Sequence, residues 1–86
     1  MKTRTNAGYT IIATIQLLDQ EYVLGENQTE SKEPKYVTWY CSDGKDYYHG
    51  HYTDSKDNAL YDLYERVRKE LDYRIQKLDE KIKGEQ

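Results

Sequence analysis

Two histidines, one cysteine and several carboxylates are the residues of this 86-residue chain that could do chemistry, and they lie close together. His49-Gly50-His51 sits between Asp46 and Asp54, with Asp43, Asp57 and Cys41 nearby. In an extended strand the i, i+2 spacing sets both imidazoles on one face, about 7 Å apart. With a carboxylate such a pair could hold a divalent metal, but two ligands without a third fall short of a metal site. No metal and no cofactor are therefore expected. Cys41 would need a neighbouring histidine and a positive environment to work as a thiolate. As a strand residue it reads instead as a small core side chain, and a single cysteine permits no internal disulfide. The aspartates read as turn and cap chemistry, or together as an anionic patch suited to a basic partner. No phosphate-binding loop, dinucleotide fingerprint, zinc spacing or nucleophile elbow occurs, so the chain is expected not to be an enzyme.

These residues belong to a unit running from Lys35 to Ile82: strand, tight turn, strand, cap, long helix. Asp43-Gly44 is a strong hairpin signal, because Gly tolerates positive φ and Asp bonds its own backbone. Alternation puts Val37, Trp39 and Cys41 on one face and Tyr36, Thr38 and Tyr40 on the other; Tyr48, Gly50 and Tyr52 oppose Tyr47, His49 and His51. Trp39 is expected to face the helix. Gly50 marks a close approach by another backbone or a large ring. Asp54 or Ser55 caps a helix that no Pro or Gly interrupts before Gly84. Apolar residues recur along it at Leu60, Tyr64, Val67, Leu71, Ile75, Leu78 and Ile82, at steps of three and four. Leu60, Leu71 and Ile82 are eleven apart, a period near 3.67, so the stripe runs nearly straight and does not follow a strict heptad.

Upstream, residues 1–7 are polar and expected to be flexible. Residues 8–18 alternate as a strand whose more apolar face, Tyr9, Ile11, Ala13, Ile15 and Leu17, should meet the helix. Asp19-Gln20 turns the chain into a strand at 21–27, and the polar segment 27–34 joins this hairpin to the next. The fold expected is α+β, a single domain over 1–86: a four-stranded antiparallel sheet of two hairpins over 8–53, with one long C-terminal helix, 55–83, packed on one face (ββββα). No segment reads as a signal peptide or a membrane span, so a cytoplasmic protein is expected.

Charge narrows function further. The formal net charge is −3, which gives no electrostatic drive toward phosphates, and duplex DNA is not an expected partner. The helix mixes Arg and Lys with Asp and Glu, as a solvated face does. The solvent face of the sheet is expected to offer Tyr36, Tyr40, Tyr48 and Tyr52 to a protein partner, since such residues anchor interfaces, and His49 and His51 are further partner-binding candidates. A seven-residue strand spans about 23 Å and a 29-residue helix about 43 Å, so the helix must outrun the sheet. Leu71, Ile75, Leu78 and Ile82 are then left over, each worth roughly 1.5–3 kcal/mol when buried, and a homodimer through this tail is expected.

Residues 39–67 resemble the last hairpin and helix of the plant ethylene-responsive DNA-binding domain and of the arm domains of phage and transposon integrases. The shared features are Gly44-Lys45 in the turn, the Tyr48-x-Gly50-x-Tyr52 strand, a polar cap and Ala59 early in the helix. The resemblance implies a β-β-α geometry and, as the alternative function, a nucleic-acid-binding domain. Those domains read DNA with Arg and Trp on the sheet, where this hairpin has only Lys35 and Lys45 as cations. The whole chain, Tyr-rich in its strands and charged in its helix, is similar in style to small orphan accessory proteins of phages and mobile elements of Gram-positive bacteria. That resemblance implies a small acidic protein-binding module acting against host defence, in the manner of an anti-CRISPR protein.

Overall fold

The computed structural model describes residues 4–29 and 34–84. The chain forms one antiparallel sheet followed by one helix: β1 (Thr5–Asn6), β2 (Tyr9–Leu17), β3 (Gln20–Asn27), β4 (Tyr36–Ser42), β5 (Asp46–Thr53) and α1 (Lys56–Gly84). The class is as expected, but the sheet has five strands in a curled half-barrel, in the order β1-β2-β3-β4-β5. The additional strand is β1, which pairs Thr5 with Thr10 and Asn6 with Tyr9. It falls within residues expected to be flexible; of these, 1–3 lie outside the described residues. Ala7 and Gly8, at φ 52° and 86°, supply the two positive φ values of a tight hairpin. Asp43 and Gly44 do the same between β4 and β5, at φ 56° and 68°.

Both sheet faces carry a core. On the helix side Tyr22, Leu24, Ala59 and Leu63 are buried, flanked by Ala13, Ile15, Leu17, Tyr36, Tyr40, Leu60 and Val67. On the other side Tyr9, Val23, Val37, Trp39 and Cys41 are buried, flanked by Ile11 and Tyr47. Trp39 therefore faces away from the helix, contrary to expectation. Its ring meets Tyr9 edge-on at 5.7 Å and Tyr47 at 5.4 Å. The curl of the sheet gives this second face enough concavity to bury an indole, so the helix is not needed to cover it.

Two bulges decide which residue lies on which face. In β2 the register shifts between Ile11, paired with Gly25, and Ala13, paired with Leu24. One extra residue inverts the alternation. The set Tyr9, Ile11, Ala13, Ile15 and Leu17 thus does not stay on one face: the first two join the Trp39 cluster and the last three join the helix cluster. In β5 the shift falls opposite Trp39, between the pairs Thr38↔His51 and Tyr40↔Tyr48. His49 there has φ 56°. At Gly50 a Cβ would lie 2.9 Å from the Trp39 indole nitrogen and 3.0 Å from the Tyr52 ring, the close approach of a ring that the glycine foretold.

Ser55 caps α1: its hydroxyl accepts from the Asn58 N–H at 3.1 Å. Asp54 instead accepts the Lys35 N–H at 3.0 Å, tying the start of β4 to the end of β5. The helix docks its first three turns and then runs on past the sheet, giving a molecule 58 Å long and 26 × 19 Å across.

Candidate partner-binding surfaces

The titratable side chains near the β5 bulge are occupied in holding helix to sheet. Asp62, one turn into the docked part of α1, takes hydrogen bonds from the fully buried Thr38 hydroxyl, from His51 Nδ1 at 3.0 Å and from Arg66 Nε at 3.2 Å. Arg66 in turn donates to the His49 carbonyl. Burial pushes the Asp62 carboxyl up, but the bonds from Thr38, His51 and Arg66 outweigh it and hold the group below its ordinary value. This Asp–His pair has the look of acid–base machinery. The Thr38 hydroxyl, however, donates to the carboxylate and not to the imidazole.

Cys41 lies in the Trp39 cluster, on the sheet face opposite His51. Burial, then the Glu21 carboxylate, pushes its thiol up, so it stays protonated and unreactive at neutral pH. Beside it Arg4 makes two bonds to Glu21, at 2.9 and 3.0 Å, and donates to the Tyr47 hydroxyl at 3.1 Å. Glu21 holds the Arg4 guanidinium above its already high ordinary value, Tyr47 adding to this. This clasp joins β1 to β3 and β5.

The four tyrosines expected to form one contact face are divided by the fold, and the two histidines expected to join in partner binding are separated as well. Tyr36 and Tyr40 pack into the helix cluster. Tyr48 stands beside Tyr40, ring centroids 6.0 Å apart, and is 44% exposed. Tyr52 is paired with Val37, so it points to the opposite face, where it is 53% exposed, next to Tyr9 and an open recess lined by Ala7, Asn27 and Pro34. His51 faces Asp62. His49 sits in the bulge, so the two imidazoles do not keep the regular i, i+2 spacing. The cause is the same inserted residue that exposes Gly50 to Trp39. Among the described residues no three His, Cys, Asp or Glu side chains come together as a metal site.

The distal helix gathers what the sheet disperses. Leu71, Ile75, Leu78 and Ile82 are 40%, 61%, 58% and 58% exposed, and Tyr61 and Tyr64 on the earlier turns are exposed as well. Leu60 and Val67, by contrast, pack on the sheet. At about 100° per residue, Leu71 lies roughly 80° around the axis from the sheet-facing Leu63. The stripe read from sequence is thus an outer row, about a quarter turn from the buried inner row of Ala59 and Leu63; its first members, Leu60 and Val67, border the sheet, and the later ones stand beyond it. Past Val67 the inner row becomes polar, with Glu70 and Arg74 paired at 2.8 Å and Arg74 reaching Asp19 at 3.3 Å. No helix among the described residues is long and apolar enough to cross a membrane.

Comparison with protein-family models, curated proteins and solved structures finds no match to this chain.

Proposed function

We propose that the chain is a small non-enzymatic protein-binding module. The observation that carries this reading is the outer row of α1. Leu71, Ile75, Leu78 and Ile82 stand in solvent on a helix that continues well past its sheet. A row of large aliphatic side chains lowers the free energy of the system only when something covers it. Tyr48 and Tyr52, half exposed on either side of β5, add aromatic contact area of the type that anchors interfaces. The groups that might have done chemistry have structural work: Asp62 and His51 fasten the helix, and Cys41 is buried. The nucleic-acid reading has less behind it, since Arg4 is committed to Glu21 and the net charge is negative. Inhibition of a host defence, the role implied by the resemblance to mobile-element proteins, is one that such a module performs by occupying a surface.

The test is a photo-crosslinking amino acid at position 78. Illuminated in the purified protein and in lysate of the cells that make it, it should give covalent protein adducts in at least one of the two. No adduct in either overturns the reading.

A further inference from the structure

Once the residues that pack on the sheet are set aside, the exposed row obeys a seven-residue repeat. Tyr64, Leu71 and Leu78 are spaced by seven, and so are Tyr61, Arg68, Ile75 and Ile82. Placing the second set at a and the first at d gives β-branched Ile at the last two a positions and Leu at the last two d positions, the combination that favours two parallel strands. Arg68 is the single charged residue in the seam, in the a position where one polar residue fixes register and strand number. The flanks carry opposite signs. Glu65, Asp72 and Asp79 fall at e; Arg74 and Lys81 fall at g.

The geometry points to a second copy of this chain as the occupant of the outer row, paired with the first as a parallel two-stranded coiled coil from Tyr61 to Ile82. This deepens the protein-binding reading and rests on it. Parallel pairing sets each g residue beside the e residue five positions on in the other copy, so Arg74, bonded in the single chain to Glu70 and Asp19, comes beside Asp79, bonded in the single chain to Lys83, on both sides of the seam. Antiparallel pairing centred on the same four aliphatic residues would set Asp72 beside Asp79 and Arg74 beside Lys81, like charge against like, on both flanks. Charge therefore selects the parallel arrangement as well as the partner. The outer row lies a quarter turn from the sheet-facing side, so neither sheet stands between the helices. In each chain the sheet also holds the first turns of α1 in helical form, which removes part of the ordering cost of pairing.

The experiment uses the full chain. Sedimentation equilibrium at tens of micromolar should give the mass of a dimer, and Leu71→Glu with Leu78→Glu should raise the dissociation constant at least about a hundredfold while the near-ultraviolet dichroism of the sheet aromatics stays unchanged. Orientation is read with cysteines. In a parallel pair position 78 faces position 78, within disulfide reach. Leu78→Cys should therefore crosslink to itself under mild oxidation, while the wild-type chain, its Cys41 buried, does not. A monomer overturns the inference, as does a dimer that crosslinks only when Leu78→Cys is mixed with Ile75→Cys. A monomer whose position-78 probe still captures another protein in lysate overturns the inference and leaves the protein-binding reading standing; a probe that captures nothing ends both.

Discussion

Asp62 is the side chain through which helix and sheet are fastened, and it makes stability depend on pH. Its carboxyl ionises at lower pH in the folded chain than in the unfolded one, because the bonds from Thr38, His51 and Arg66 outweigh the effect of burial. The folded state thus binds fewer protons. The stabilisation is complete above the ordinary carboxylate range and is lost as pH falls through the lower folded value. The thermal midpoint should therefore drop below about pH 4, and Asp62→Asn should flatten that part of the profile; equal slopes in the two proteins would refute the assignment. At neutral pH Asp62→Ala strands the buried Thr38 hydroxyl, at a cost of about 1–3 kcal/mol by urea denaturation. The site was only partly legible beforehand. His51 drew attention as a histidine, but its partner lies eleven residues on, across a strand–helix junction, and nothing in local spacing marks that contact. Gly50 was legible, because a glycine inside an aromatic strand has few reasons to be there other than a close approach.

At the scale of elements, four strands and the helix fall within one or two residues of where turn chemistry and periodicity place them. What alternation does not reveal is a bulge. Tyr9 to Leu17 keeps an apolar residue at every odd position, and the inserted residue, Ile12, reads only as one apolar side chain on the other face, so the inversion of faces is not announced. The strand β1 is two residues long and has no period to read. The helix shows the converse case: its stripe was clear, but the buried row is a different one, Ala59 and Leu63, and only the position of the sheet reveals it. The rows should differ sharply on truncation. Leu63→Ala, in the inner row and 1% exposed, should cost about 2–5 kcal/mol. Ile75→Ala, measured at high dilution, should stay within about 0.5 kcal/mol of the wild type. Guanidinium titrations of both variants check this, and similar losses would mean that the distal turns pack against something in the monomer.

For the whole molecule, charge sets what it meets. With a formal net charge of −3 and its sheet arginine paired, the protein should bind random duplex DNA with a dissociation constant above about 10⁻⁶ M at physiological salt. A mobility shift at lower concentration that weakens steeply with salt would reverse this. The strand order carries a consequence for time. Each strand pairs with its neighbours in sequence, so every ladder closes over a short stretch of chain, and topologies built this way reach the native state quickly. The sheet can zip one hairpin after another as the chain lengthens, and α1 settles onto strands already made. The Arg4 clasp is different. It reaches across 43 residues to Tyr47 and cannot close until β5 has joined β4. Its bond to Tyr47 therefore closes later than the hairpin ladders and, with the guanidinium part exposed, should open more readily than the buried core.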